Sequence, residues 1–210
     1  MLLMKTKHCT NMIGKTFSHS TALVYVIVLT LFCSCQMVEE LRIKRIVNQT
    51  YGRQIDSQWM GLQLFEDTIV TVSDIVEKPI TIITYEEYKL CTECLQKYIN
   101  GAETLVGYFK SDIVEFIAII VPREDYSEIQ NIIKEIDCNK VKVICDINQD
   151  FFSKNHLEKI PKKLNGYLLD KDHRVVVIGN PLTSNYVGDL YKKIMPQMIK
   201  DGGIASFDKR

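Results

Sequence analysis

Cys91 and Cys94, two cysteines separated by two residues, are the side chains of this sequence best suited to chemistry. They follow the apolar run Ile80-Thr81-Ile82-Ile83-Thr84, and Leu95, Ile99, Ala102, Leu105, Val106 and Phe109 follow them at near-helical spacing. A strand leading into a Cys-x-x-Cys that opens a helix is the layout of a dithiol redox site. At a helix N-terminus, unpaired N–H groups and the macrodipole favour the thiolate of the first cysteine. The second lies one turn on, near enough to close a small disulfide ring. In this reading Cys91 is the exposed attacking thiolate and Cys94 the more buried resolving thiol. Glu93 stands in the same first turn. Its charge disfavours a thiolate beside it and makes Cys91 a milder nucleophile, although an acid is also simply favoured there. The alternative for the pair is a permanent disulfide that tightens the turn.

Other readings of the same residues are weaker. Cys138 and Cys145 are separated by six residues and flank a predicted strand, whereas structural zinc takes its ligands in two tight pairs, so no metal is expected. Buried free thiols, or a local bond between those two, fit better. Covalent haem attachment needs a histidine directly after the second cysteine, and Leu95 is there instead. No cofactor is expected. His156 and His173 read as surface or turn residues, Asp170, Lys171 and Asp172 as turn chemistry. Asn48-Gln49-Thr50 fits the N-glycosylation pattern.

The elements that must hold the cysteines follow from periodicity. Residues 36–50 read as a short helix, and residues 51–72 as one or two short strands. Residues 80–84 form a buried β-branched strand. The helix after Cys91 is expected to kink or break at Asn100-Gly101. Residues 115–121 form a second strand, and residues 124–136 an amphipathic helix with Ile129, Ile132, Ile133 and Ile136 on one face. A third strand covers 140–145, and a hairpin spans 167–178 around a turn at 170–174. A last helix begins near Asn185 and is expected to end or bend at Pro196. Strands alternating with helices imply parallel pairing, and the hairpin adds an antiparallel edge. The expected architecture is α/β: a mixed sheet with helices on both faces and an extra α-β unit before the C-terminal hairpin. The division reads as 1–34 leader, 35–78 tether and short strands, 79–200 main domain, and 201–210 flexible tail.

The leader has its own signature. Residues 1–20 carry Lys5, Lys7 and Lys15 and no acid, and residues 21–32 are twelve mostly apolar residues. That length is short for a membrane span and fits the core of a signal peptide. Leu31-Phe32-Cys33-Ser34-Cys35 then resembles the bacterial lipoprotein processing box, with Cys35 as the lipidated residue. An uncleaved N-terminal anchor is the alternative, and both readings export the rest. Cleavage before Cys35 leaves 176 residues, enough for one domain with a real core. The leader holds three of the 26 basic residues and none of the 26 acidic ones, which gives the remainder a net charge of −3. No basic patch of the kind nucleic acid needs is present. Cysteines are too sparse for a disulfide-stapled scaffold, so the core comes from apolar packing.

From Pro79 to Lys193 the chain resembles thioredoxin-like lipoproteins of Gram-negative gut anaerobes, distant relatives of exported thiol–disulfide oxidoreductases with the same extra α-β unit. The matching motifs are Cys91-Thr92-Glu93-Cys94 after a strand, Asn155 and Pro161 before the hairpin, and the run from Leu168 through His173 to Ile178-Gly179-Asn180-Pro181 across it. Trp59-x-Gly61 and the leader agree with them. The resemblance implies thiol–disulfide exchange on envelope proteins or small thiols, regeneration by a separate reductant, and a lipid anchor in the periplasm or outer membrane. It also marks three departures. Leu90 stands where an aromatic usually precedes the first cysteine. Tyr85, next to Glu86 and Glu87, stands where a buried acid is usual. Leu164 or Asn165 falls where a cis-proline usually faces the disulfide, with Pro161 three or four residues early. These departures also fit a second reading, a non-catalytic lipoprotein that uses the fold as a binding or accessory module with a structural disulfide.

Overall fold

Strand-forming runs and amphipathic helices alternate along most of the chain, and a computed structural model shows how they assemble. It describes residues 37–63, 68–88, 91–122, 127–136, 140–157 and 160–207. Contacts divide the chain into Met1–Arg45 and Ile46–Arg210. In the first unit the described residues are helical, and this helix, α1, covers 37–50. The leader, Cys35, Leu90 and Cys138 lie outside the described residues.

The second unit is built on one seven-stranded sheet of order β2-β1-β5-β4-β3-β6-β7. A short hairpin, β1 (Met60–Gln63) and β2 (Thr68–Thr71), forms one edge and leads into the one-turn helix α2 (Val72–Ile75). The centre is β3 (Ile80–Tyr88), β4 (Val114–Pro122) and β5 (Val141–Cys145), all parallel. The other edge is the antiparallel hairpin β6 (Gly166–Leu169) and β7 (Val175–Ile178). Helix α3 (Thr92–Phe109) links β3 to β4, and α4 (Ser127–Glu135) links β4 to β5. Helix α5 (Asp150–Asn155) and a 3-10 turn at Lys162–Leu164 precede β6, and α6 (Asn185–Lys200) follows β7. The α4-β5 unit is the insertion expected before the C-terminal hairpin.

Strand alternation sorts the core into two layers. Ile80 and Ile82 of β3 join Phe116, Ala118 and Ile120 of β4 under α3, α4 and α6. Ile83 and Tyr85 point to the other face with Ile117, Ile119, Trp59 and Phe151. Helices therefore cover both faces, as expected. Strand β4 is buried along almost its whole length, which accounts for its continuous apolar reading.

Three local expectations change. Helix α3 runs through Asn100-Gly101 without a break. A mid-helix glycine costs about 1 kcal/mol, less than the face of Leu95, Ile99, Ala102, Leu105 and Val106 returns by burial. Pro196 stands inside α6, so of the two outcomes expected there the helix does not end at it; Met195 and Met198 on either side are both buried in the core. The segment after Asp201, expected as a flexible tail, packs as far as Phe207. Gly203 accepts the Lys171 N–H, donates to the Met198 carbonyl, and sits so close to Pro79 that a Cβ there would meet it at 2.6 Å. The Phe207 ring meets Tyr51 edge-on at 5.2 Å.

Candidate active site

Cys91 is the N-cap of α3, in extended backbone. Its carbonyl accepts the N–H groups of Cys94 and Leu95, and its sulfur accepts the Cys94 N–H at 3.3 Å. This is the donor arrangement that lowers the cost of a thiolate at the first cysteine. Cys91 and Cys94 are joined as a disulfide, their Cα atoms 5.2 Å apart. Leu95, buried directly behind them, pins the turn to the core. Exposure runs opposite to expectation, for Cys91 is partly buried and Cys94 exposed. The reason is local. The cap residue is still leaving the sheet, whereas Cys94 has already turned out on the first turn. Glu93 also points outward and pairs with Lys97 at 3.5 Å, so part of its charge is offset.

Strand β3 continues to Tyr88 because its parallel register with β4 continues, Glu86 opposite Ile120 and Glu87 opposite Val121. Alternation then places Thr84 and Glu86 on the α3 and α6 face and Tyr85 and Glu87 on the other. Tyr98, one turn after Cys94, donates its hydroxyl hydrogen to Thr84 Oγ1. Asn180, 1 % exposed, donates from Nδ2 to Glu86 Oε1 at 2.8 Å and has Tyr98 within hydrogen-bonding reach. Burial pushes the Glu86 carboxyl above its ordinary range; the Asn180 hydrogen bond and the Lys162 charge pull it down, and the Glu87 charge pushes it up. Burial, and then the Glu86 charge, raise the Tyr98 phenol against those hydrogen bonds. A half-buried carboxyl with one neutral donor therefore lies beside the second turn of the cysteine helix.

The other face is aromatic. Tyr85 is buried, its ring 4.0 Å from Phe152 and 5.8 Å from Phe151. Its phenol is raised by burial and by the charges of Asp146 and Glu87. The position expected for a buried acid thus belongs to a core ring, and the carboxyl beside α3 comes from the next residue. Asp146 is fully buried at the end of β5 and accepts the N–H groups of Asp150 and Phe151, closing the start of α5. Burial pushes the neighbouring Cys145 thiol up to about 12. Cys145 is inert core packing.

The loop before β6 is arranged without a cis peptide among the described residues. Pro161 caps the 3-10 turn, its carbonyl accepting the Leu164 N–H at 2.8 Å. Leu164 packs on the aromatic face, and Asn165 leads β6 with its carbonyl accepting the Tyr85 N–H. Lys162 reaches Glu87 at 2.7 Å, which ties the loop to the end of β3. Asn155 holds residue 56 through both its amide atoms. His156 is exposed after α5, and His173 takes a left-handed turn conformation in the hairpin, where Asp170 Oδ1 accepts the Asp172 and Arg174 N–H groups. Among the described residues, no hydrogen bond or ion pair joins either histidine to the cysteines. A cavity of about 610 Å³ lined by Lys78, Lys110, Glu115, Lys140 and Lys142 lies at the opposite pole, by the C-terminus of α3, and is not part of this site.

Sequence reading finds the cysteines and misses the polar group that meets Tyr98 on the second turn of α3. Asn180 was in view, but only as part of a hairpin motif. Glu86 was in view as a neighbour of Tyr85. The signal that finds Glu86 is the alternation Ile80, Ile82, Thr84, Glu86 carried past the apolar run.

No protein-family profile matches the chain, and no curated protein does. Solved structures do. A conserved protein of unassigned function from Geobacillus kaustophilus superposes with a TM-score of 0.52 at 15% identity, covering 76% of this chain and 87% of that one. A protein assigned as a thiol–disulfide oxidoreductase from Bacteroides vulgatus gives 0.50 at 15% identity, covering 68% and 95%. One assigned to electron transfer from Aquifex aeolicus gives 0.50 at 13% identity, covering 67% and 90%. The chain therefore has a thioredoxin-like fold, distantly similar to that of thiol–disulfide oxidoreductases, with the Cys91–Cys94 disulfide at its strand–helix junction.

Proposed function

We propose that the protein carries out thiol–disulfide exchange through Cys91 and Cys94. The observation that carries this reading is the pair itself: a disulfide at a helix N-cap whose first sulfur receives a backbone N–H. The Cys91 thiolate attacks a substrate disulfide, breaks its S–S bond, expels one substrate sulfur as thiolate, and forms a mixed disulfide with the other. The Cys94 thiolate then attacks Cys91 Sγ, releases the substrate thiol, and closes the Cys91–Cys94 bond. A separate dithiol reductant then supplies two electrons and two protons, is itself oxidised to a disulfide, and restores the reduced pair. The substrates in this reading are envelope proteins or small thiols, with no nucleic acid. The leader motif supports lipidation at Cys35 and a place in the cell envelope, in the periplasm or at the outer membrane. Among the described residues no helix is long and apolar enough to cross a membrane.

The exposure of Cys94 makes the order of attack testable. Cys94→Ser incubated with oxidised glutathione should accumulate a Cys91–glutathione mixed disulfide, and Cys91→Ser should not. Accumulation on Cys94 alone would reverse the roles. Accumulation on neither would favour the second reading, a binding or accessory module. That reading draws its support from Asn165 and Leu164, rather than proline, leading β6.

A further inference from the structure

We propose that α1 is a membrane-contacting helix, whose outward face of Met37, Val38, Leu41, Arg42, Lys44 and Arg45 lies on the anionic phospholipid surface that anchors the chain. This inference rests on the envelope location in the reading above and not on the cysteine chemistry. Three observations carry it.

First, the helix has two unlike faces. At about 100° per residue those six side chains fall within an arc of about 160°, and neither acid of the helix, Glu39 or Glu40, falls inside it. Ile43, Ile46, Val47 and Thr50 fall on the opposite side. All four are half-buried or buried, and Val47 packs against the aromatic layer of the core. The fold therefore uses the inward face and leaves the other to a partner outside the chain.

Second, the outward face carries apolar side chains where water would otherwise meet them. Met37 is 62 % exposed, Val38 65 % and Leu41 62 %. An exposed apolar residue on its own is ordinary, but three within one turn form a patch. Arg42, Lys44 and Arg45 are also exposed and flank that patch on the same face. Apolar side chains that enter the acyl boundary, beside cations that meet phosphate groups, are what an interfacial helix offers a bilayer.

Third, the patch lies next to the anchor. The apolar run occupies residues 21–32, and Cys35 stands two residues before Met37. Two residues span at most about 7 Å. Leu41 lies about 6 Å further along the helix. Whether the anchor is a lipid on Cys35 or the uncleaved run, the bilayer surface is within reach, and a protein partner would have to displace it. Three apolar side chains bind a bilayer weakly by themselves. Tethering makes the contact intramolecular and raises its effective concentration. The helix is then a second attachment point rather than a spacer.

The test uses the full chain, made in a Gram-negative host and reconstituted into vesicles of phosphatidylcholine and phosphatidylglycerol with brominated acyl chains. Bromine quenches tryptophan only at close range. Trp59, the chain's one tryptophan, is 1 % exposed and supplies the unquenched baseline. Leu41→Trp adds a reporter on the outward face, which should lose about half of its added emission and shift to the blue. Glu40→Trp, outside the arc, should lose little. Arg42→Glu, Lys44→Glu and Arg45→Glu together should restore most of the Leu41→Trp emission. Should that variant fail to fold, added salt on the unreversed chain should restore it in part.

Sedimentation with the vesicles is read in parallel. A chain that stays in the supernatant sinks the envelope reading and this proposal with it. A chain that sediments with the Leu41→Trp reporter unquenched sinks this proposal alone. A blue shift without quenching, lost on dilution, does the same and puts a second copy of the chain on the face. Equal quenching of the Leu41→Trp and Glu40→Trp reporters, or quenching indifferent to charge and to salt, also overturns it.

Discussion

Two glutamates inside the same sheet are treated in opposite ways. Glu115, near the start of β4, is 5 % exposed and fully answered. Its Oε1 accepts the Glu77 and Lys78 N–H groups and the Thr81 hydroxyl, and its Oε2 pairs with Lys142 at 3.1 Å. Glu86, near the end of β3, has one neutral donor and a carboxyl pushed up by burial. The first is a brace that fixes the segment leading into β3, at the pole away from the cysteines. The second is left able to change protonation, beside the cysteine helix. A buried carboxyl with several donors and a cation is braced on both oxygens; a carboxyl with a single neutral donor is held at one.

The contrast can be broken at either end. The largest effect belongs to the cysteines. Cys91→Ser should reduce disulfide exchange to the uncatalysed rate, read by release of thiol from oxidised glutathione. Next comes the brace. Glu115→Ala should cost about 3 kcal/mol in urea unfolding, since it takes the acceptor from the Glu77 and Lys78 N–H groups and a carboxylate from Lys142, which keeps Glu77, and should leave the redox midpoint where it was. A shifted midpoint would mean that the two poles are coupled.

The pH dependence sharpens the same comparison. Glu86 is raised above its ordinary 4.5, so its contribution to stability is fully present below about pH 4.5 and is lost as pH rises through its folded value. E86Q should flatten that fall in a urea titration against pH; an unchanged fall would assign it to another group. Cys145 follows the same sign at the alkaline end. Its thiol is pushed from 9.0 to about 12, so stability should drop between those values, and Cys145→Ala should remove that drop. The smallest effect is at Tyr167, whose buried hydroxyl has no partner among the described residues. Tyr167→Phe should be neutral or raise stability by about 1 kcal/mol in thermal unfolding.

The order of elements was legible because each strand and helix carries its own period. Ile80 to Thr84 and Ile129 to Ile136 mark their elements without reference to anything distant. The cysteine pair was legible because its spacing is local. What escaped was set by partners far along the chain. Strand β3 ends at Tyr88 because of β4, and Glu86 meets Asn180 across 94 residues. The tail packs because Lys171, Pro79 and Tyr51 receive it, and the helix continues past Gly101 because its buried face outweighs one glycine. Asn180 reads only as part of a hairpin motif until the sheet brings a carboxyl to it.

The most direct measurement is a redox titration of the protein against glutathione and dithiothreitol buffers, with free thiols counted by mass. The account predicts a reversible Cys91–Cys94 couple with a midpoint between about −120 and −280 mV, the range of exchange proteins. A bond still closed below about −300 mV, the range of structural disulfides, or no bond at any potential, would contradict it.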